Sequence, residues 1–301
     1  MTPTRNDNGR ALEYGIAVSF ANYLPASLIT NTQLVKAKEC FELQNEKEQK
    51  KIVRASQEVA NFLCAYDKYL ADTGKGSTVT LQSDQMGQKG DVRDIIIYNK
   101  KFNKTIGISA KNRHWGIKNP RISGDGDFGY DWFGRHCSTT YFNQITPIFA
   151  ELNSRKVRKE KWNEIPDKTQ RYYVPILNAF IAEIKRLSQS EPEKVAKGLL
   201  QYVLGKFDYY KVTKENGSVS IVPFNTNGTI GWGSKTPIST RIIEIAMKAK
   251  SETTIEIIFD KGWHIAFRLH SAESLVIPSV KFDVTIIGIP SVMLKNFIKY
   301  T

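Results

Sequence analysis

Residues 90–114 read GDVRDIIIYNKKFNKTIGISAKNRH and contain two aspartates, an apolar run, a polar turn and a second apolar run ending in Lys111. Alternating apolar residues on both sides of the Asn99–Lys104 turn predict a β-hairpin. Its second strand ends in a basic cluster that is costly to bury. The cluster is therefore either a solvated rim or a site that holds an anion.

The hairpin brings an acid and a lysine together. If the strands pair antiparallel, Asp94 at the start of one lies near Lys111 at the end of the other, and Ser109 shares a face with Lys111. This arrangement suits phosphodiester hydrolysis, because a carboxylate holds Mg²⁺ while a lysine orients or deprotonates water and stabilises the developing charge. The alternative is a surface ion pair that contributes little.

Composition limits the partners and the compartment. The 301 residues carry a net charge of +13, with a sequence pI near 9.5, which favours a polyanionic partner such as nucleic acid over simple solubility. The sequence lacks an apolar run long enough to cross a membrane, and its N-terminus lacks the apolar stretch of a signal peptide. Three separated cysteines match neither a disulfide framework nor a zinc site, so we expect a cytoplasmic protein without a membrane partner.

The hydrophobic period changes along the chain. Apolar residues every four positions predict a helix from near Gly9 to Leu24, with Glu13 beside the buried stripe, and a second helix over Glu46–Ala71. Residues 115–135 are interpreted as a long functional loop, 136–205 as helical, and 239–250 as a short helix. Hairpin turns are predicted at residues 215–217 and 260–262, and a last strand is predicted to end at Pro290. The fold class is α/β (α+β), a mixed central sheet flanked by helices.

Several segments carry a family resemblance. GDVRDIII (90–97) and TIGISAKNRH (105–114) resemble the active-site hairpin of the PD-(D/E)xK nucleases. More narrowly, three segments resemble type II restriction endonucleases of the HaeIII type: NGRALEY (8–14), ISAKNRHWGIKNPRIS (108–123) followed by DFGYDW (127–132), and GWHIAFRLHSAESLVIPSVKFDV (262–284).

The resemblance implies a domain organisation. We expect a restriction-endonuclease-like catalytic core over residues 1–135 and a helical insertion over 136–205. A β-rich DNA-recognition region with a β-hairpin is expected over 206–301, packed with the core as one compact unit.

The resemblance also implies site residues. Asp94 matches the metal-binding aspartate and Lys111 the catalytic lysine, while Ser109 stands where the superfamily usually has an acid. The missing carboxylate is assigned to Glu13 ahead of Asp91, although Glu13 also fits an ordinary helix surface and Asp91 an ordinary turn. The predicted catalytic residues are Asp94, Lys111, Glu13 and Ser109, and the predicted metal ligands are Asp94, Asp91, Glu13 and Ala110.

DNA contacts are predicted in two places. Basic residues after the catalytic strand are expected to bind phosphates, and a polar stripe in WHIAFRLH (263–270) is expected to face DNA unless it is simply solvent-facing. The predicted DNA-binding residues are Arg113, His114, Lys118, Arg121, Arg268, His270 and Lys281.

The functional prediction is a type II restriction endonuclease with Mg²⁺ as cofactor and double-stranded DNA as substrate. The resemblance suggests a short GC-rich palindrome such as GGCC. A palindrome implies a homodimer on DNA. A cognate DNA methyltransferase is expected as genetic partner in a prokaryotic cytoplasm. The alternatives are a repair or structure-specific nuclease of the same superfamily, and a DNA-binding protein whose nuclease site has decayed.

Overall fold

The computed structural model describes residues 3–83, 85–86, 90–113 and 116–300. The predicted phosphate contact His114 and the neighbouring Trp115 lie outside the described residues. The chain forms two compact units. Unit 1 comprises residues 1–115, 205–237 and 291–301, and unit 2 comprises residues 116–204 and 238–290.

Three helices of unit 1 begin at polar caps, which satisfy backbone N–H groups that the first helical turn leaves without partners. They are α1 (Arg5–Tyr23), α2 (Thr32–Glu42) and α3 (Glu46–Tyr66), capped by Thr4, Asn31 and Asn45. Helix α1 starts earlier than predicted because Thr4 and Asp7 form a reciprocal capping box. Helix α3 ends at Tyr66, earlier than the predicted Ala71. The next residue, Asp67, is buried.

Unit 1 contains the predicted mixed sheet. Its strands are β1 (Ala26–Leu28), β2 (Ser77–Leu81), β3 (Ile95–Asn99), β4 (Lys104–Asn112), β6 (Tyr209–Lys214), β7 (Ser218–Phe224) and β12 (Asn296–Lys299). The spatial order is β1-β2-β3-β4-β6-β7-β12, in which β4 runs parallel to β6 and antiparallel to β3. The predicted hairpins at Asn99–Lys104 and at residues 215–217 are therefore both confirmed.

The core of unit 1 fixes the register of the hairpin. Ile95, Ile97, Ile106 and Ile108 are fully buried and pack with the predicted apolar stripe of α1. Because side chains alternate between the faces of a strand, this burial directs Ser109 and Lys111 of β4 to the opposite face. Slipping the register by one residue would bury Lys111 in this core, so hydrophobic burial itself sets the position of the site.

Unit 2 packs helices against a second sheet. The helices are α4 (Phe128–Phe133), α5 (Thr139–Val157), α6 (Val174–Ser190) and α7 (Pro192–Leu204). The strands are β5 (Arg121–Ser123), β8 (Ile242–Met247), β9 (Thr254–Phe259), β10 (His264–Ser271) and β11 (Ser279–Gly288), in the spatial order β5-β11-β10-β9-β8. An aromatic core joins them, with Phe180 of α6 against Phe282 of β11.

Two local predictions were wrong. Residues 115–135 were expected to form a functional loop, but they include β5 and α4, and Trp132 and Phe133 are buried in the aromatic core. Residues 239–250 were expected to form a helix but contain the edge strand β8, because pairing with β9 overrides the local helical pattern. Strands β1 and β12 and helix α2 were not predicted.

Each unit is built from separate stretches of the chain. Unit 1, for example, includes β6, β7 and β12, which complete the sheet that carries the hairpin. The predicted functional domains 1–135, 136–205 and 206–301 stay a prediction. Within the described ranges, we find no helix with the length and apolar character needed to span a bilayer.

Candidate functional site

The hairpin brings Asp94 and Lys111 into direct contact. The Asp94 N–H donates to the carbonyl of Ile108 at 2.8 Å, which extends the β3–β4 ladder and aims the carboxylate along β4. Asp94 Oδ2 then accepts hydrogen bonds from Ser109 Oγ at 3.1 Å, from the Ala110 N–H at 2.7 Å and from Lys111 Nζ at 3.0 Å. Three donors on one oxygen hold the carboxylate in a single orientation.

Lys111 is an ammonium ion at neutral pH. Its side chain is 26% exposed and that of Asp94 is 24% exposed, so both groups can meet a ligand. Burial would lower the pKa of Lys111, but the charge and hydrogen bond of Asp94, together with the charge of Glu13, outweigh burial and raise the pKa above its ordinary value. Lys111 therefore supplies a fixed positive charge at the end of β4.

The two candidates for a second carboxylate differ in their surroundings. Glu13 is half-buried on α1, and its charge acts directly on Lys111. Asp91 is only 3% exposed, and its two oxygens accept hydrogen bonds from Arg93 Nε at 2.7 Å and Nη2 at 2.6 Å. Arg93 passes over Gly107, where an added Cβ would lie 2.0 Å from the arginine Cδ. Asp91 is thus engaged in orienting Arg93.

Lys211 is a feature of the site that the sequence did not reveal. It lies on β6 opposite Ser109, so its side chain projects to the same face of the sheet as Ser109 and Lys111. It is 1% exposed, and burial together with the charge of Lys111 lowers its pKa to about 7, although the charge of Asp94 opposes the change. The only sequence signal was a lysine inside an apolar strand, which does not identify its neighbours.

The carboxylates near Lys111 offer oxygen atoms, which are the ligands that Mg²⁺ prefers. Among the described residues there is no group of three or more His, Cys, Asp or Glu side chains arranged to hold a metal ion. Asp94 and Glu13 are the carboxylates whose charges both act on Lys111. Ala110 offers only backbone atoms, and its N–H is already bonded to Asp94.

Two of the predicted phosphate contacts are in contrasting environments. Arg113 is exposed just beyond β4, has a left-handed backbone with φ of 56°, and donates its N–H to the carbonyl of Lys214 at 2.8 Å. Lys118, in unit 2, donates from Nζ to the Tyr202 carbonyl at 3.2 Å and lies 3.4 Å from the centre of the Tyr202 ring. Arg113 is therefore the more accessible of the two.

The second sheet collects the remaining predicted DNA contacts on one face. Arg121 of β5 pairs with Lys281 of β11, which pairs with His270 of β10, so the three side chains form a row across adjacent strands. Arg268 lies on the same face, two residues from His270, and is exposed. The opposite face of β10 is buried in the aromatic core. The predicted alternation of β10 is thus confirmed.

The positive charge of this row comes from its lysine and arginines, and Asp283, in register with Arg268, partly offsets it. Burial lowers the pKa of His270, and the charges of Lys281 and Arg268 lower it further, while a backbone hydrogen bond to Ser271 and the charge of Asp283 oppose the change. The imidazole is therefore neutral at pH 7, and the two neighbouring side chains carry the positive charge.

Comparisons with known proteins identify the family. The family model described as HaeIII restriction endonuclease matches residues 9–290. The chain is 32% identical over 310 residues to the type II restriction enzyme HaeIII of Haemophilus aegyptius, covering 98% of each chain. No solved structure matches the chain significantly. These matches favour the restriction enzyme over the repair nuclease and the decayed binding protein. The chain therefore belongs to the HaeIII restriction endonuclease family and is a type II site-specific deoxyribonuclease.

Proposed function

We propose that Asp94 and Lys111 form the hydrolytic centre, and that the enzyme makes double-strand breaks in DNA by hydrolysing phosphodiester bonds. The observation that carries the proposal is the 3.0 Å contact between Asp94 Oδ2 and Lys111 Nζ on neighbouring strands, with both side chains about a quarter exposed. An ordinary surface ion pair would not explain why Ser109, Ala110 and Lys111 all donate to one carboxylate oxygen.

Type II restriction enzymes generally use a divalent metal, and we propose Mg²⁺ here. Its ligands would be Asp94 and Glu13, because oxygen donors suit Mg²⁺ and both carboxylates act on Lys111. When bound, Mg²⁺ would polarise the scissile phosphate and lower the pKa of a water molecule. Asp91 is the weaker candidate because Arg93 occupies both of its oxygens.

The protein's own groups have distinct roles in this proposal. Lys111, with its raised pKa, donates a charged hydrogen bond to the phosphoryl oxygens as negative charge builds on them. Ser109 and the Ala110 N–H orient the Asp94 carboxylate. Ser109 does not replace the acid usually found at its position, so Glu13 supplies that charge from α1.

We also propose that the second sheet reads the target. In the major groove an arginine can donate two hydrogen bonds to guanine. Arg268 is exposed on β10, the central strand of the second sheet, while His270, Lys281 and Arg121 extend the row toward the sheet edge at β5. Arg113, His114, Lys118 and Arg121 remain proposed phosphate contacts.

The proposed target is a short GC-rich palindrome such as GGCC. The supporting evidence is the match to HaeIII-type enzymes along nearly the whole chain. Cutting both strands of a palindrome requires two equivalent centres, so we propose a homodimer on DNA. A nuclease of this kind acts on DNA in the prokaryotic cytoplasm, and a cognate methyltransferase would protect the host sites.

The test is cleavage of plasmid DNA with and without Mg²⁺. Discrete fragments that form only with Mg²⁺, and whose ends share one short palindrome, are the expected result. Intact DNA with a gel shift, or cutting in a metal chelator, would contradict the proposed chemistry. A smear without a common end sequence would contradict the proposed specificity.

A further inference from the structure

Helix α3 carries a row of cations on one side. Lys47, Lys50, Lys51 and Arg54 are spaced at three and four residues, which places them on the same helical face. Lys47, Lys50 and Arg54 are exposed, and the Lys51 side chain is 42% exposed. Like charges at this spacing destabilise a helix. A helix surface that serves stability alone would not place four cations together.

These cations border a defined groove. A space of about 360 Å³ lies between the α3 cations, Gly217 at the tip of the β6–β7 hairpin, and Tyr300 near the end of the chain. The Tyr300 N–H donates to the Gly217 carbonyl at 3.1 Å, which fastens the chain end to the hairpin tip. Gly217 has φ of 76° and faces open space, so the floor of this α3 groove carries no side chain at that point.

Opposing charge in the groove is limited. Lys50 is paired with Glu46, but both side chains are exposed, and such a pair contributes little to stability. Lys51 lies 3.8 Å from Glu48, but Glu48 is held more closely by Lys214, at 2.6 Å. Within the described part of the chain, Lys47 and Arg54 form no ion pair. The rim of the α3 groove is therefore cationic and fits a polyanion.

The groove connects to the end of the catalytic strand. Asn112 of β4 is in register with Lys214 of β6, and Arg113 donates its N–H to the Lys214 carbonyl. Lys214 contacts Glu48 of α3, which lies between Lys47 and Lys51 along the helix. The charge of Arg113 acts on Glu48 and on Tyr300, so Arg113 lies near the α3 groove within unit 1. The enzyme acts on DNA, whose backbone carries a regular line of negative charge.

We propose that the α3 groove binds the phosphate backbone of the DNA duplex flanking the cleaved site. Lys47, Lys50, Lys51 and Arg54 contact phosphates without reading bases, and Gly217 lets the backbone approach closely. Such contacts raise affinity for any sequence and position the duplex along the enzyme. The groove lies apart from Asp94, so its role does not depend on the roles proposed for Asp94 and Lys111.

The test replaces all four cations with glutamine, which removes charge and keeps helix propensity. The probe is a fluorescent duplex of about 30 base pairs with the recognition sequence at its centre, titrated in a metal chelator at several salt concentrations. We expect the slope of log Kd against log salt to fall by about two or more, since each phosphate contact contributes about 0.9. At physiological salt, Kd should rise at least about tenfold.

The matched control also removes four exposed lysines from unit 1. Lys68→Gln, Lys75→Gln, Lys100→Gln and Lys101→Gln alter residues around the β3–β4 turn, at the opposite end of the hairpin from Asp94 and Lys111. We expect this variant to keep the wild-type slope. Equal slopes in the two variants would overturn the proposal, because net charge alone would then explain any loss.

Two further arms keep the assignment falsifiable. The double variant Lys47→Gln and Arg54→Gln removes the two cations without ion pairs and should lower the slope by about one or more. A duplex trimmed to about one helical turn centred on the recognition sequence should bind the wild type and the quadruple variant alike. If the Kd values of the two proteins still differ as much on the trimmed duplex, the contact lies inside the recognition sequence, and the flanking assignment is overturned. An altered subunit association with an unchanged slope would indicate a protein contact instead.

Discussion

Ser109 of β4 and Lys211 of β6 are paired in register on the face of the sheet that carries the site. Lys211 is buried, and its pKa is lowered to about 7 from an ordinary 10.5 by burial and by the charge of Lys111. A lysine whose pKa is depressed on folding binds fewer protons in the folded state than in the unfolded one. Between pH 7 and 10.5, the free energy of unfolding therefore rises with pH.

Lys211→Met should remove this dependence. We expect the free energy of unfolding of the wild type to increase with pH relative to the variant, by at most about 1.4 kcal/mol per pH unit within that window. Chemical denaturation at several pH values measures it, and the exposed Lys100→Met serves as control. A constant difference between wild type and Lys211→Met at all pH values would show that Lys211 stays charged.

Glu13 and Asp91 should respond differently to loss of charge. Glu13→Gln is expected to slow cleavage by about 100-fold or more, with a smaller loss of stability than Asp91→Asn, because it removes a carboxylate acting on Lys111. Asp91→Asn is expected to destabilise the fold by about 3 kcal/mol, because the Arg93 side chain is only 10% exposed and loses its partner. If Asp91→Asn slowed cleavage and Glu13→Gln destabilised the fold instead, Asp91 would be the carboxylate of the site and Glu13 the structural one.

The Lys214–Glu48 pair supports the sheet beside the site. Lys214 is 1% exposed, and its Nζ lies 2.6 Å from Glu48 Oε1, so Glu48→Gln leaves a buried cation without its carboxylate. We expect a loss of about 3 kcal/mol in the free energy of unfolding near neutral pH. The exposed Glu46→Gln is the matched control and should change stability little.

The pH dependence of that loss follows from the pKa of Glu48. Burial raises this pKa, but the hydrogen bond and charge of Lys214 outweigh burial and lower it below 4.5. The stabilisation is thus present above pH 4.5 and lost as pH falls through the lowered folded-state pKa. A difference between wild type and Glu48→Gln that persists in strong acid would contradict this explanation.

Arg268→Ala tests the proposed reading strand. Loss of a bidentate guanine contact should reduce discrimination between cognate and altered sites by about 1–3 kcal/mol, with a nearly unchanged salt slope. The exposed Arg241→Ala in the same unit is the control and should keep full discrimination. If Arg268→Ala instead lowers the slope by about one at constant discrimination, Arg268 contacts a phosphate.

The hairpin could be predicted because its information is local. Alternation and a polar turn within residues 90–114 determine both strands, and the turn length brings Asp94 to Lys111. The approach of Glu13 depends on how α1 packs, and the position of Lys211 depends on parallel pairing between strands about 100 residues apart. Such long-range pairing leaves no periodic signal in a single sequence. The same limit explains why residues 239–250 were predicted as a helix. Their strand β8 forms because it pairs with β9.

The aromatic segment 127–133 shows a different limit. Its glycine and aromatics are typical of a binding loop, and the packing of Trp132 becomes apparent only once α6 and β11 are in place. Composition alone does not distinguish a binding loop from a short helix packed in a core.

The central claim is that the Asp94–Lys111 pair hydrolyses the phosphodiester bond. Single-turnover cleavage of a cognate duplex by Lys111→Ala and by Asp94→Asn tests it most directly, with Kd measured on the same duplex. Lys104→Ala, at the other end of β4, is the matched control and should cut at the wild-type rate. We expect both site variants to cut about 1,000-fold more slowly or worse, with Kd changed only a few-fold. Cleavage by either variant at the wild-type rate would contradict the account.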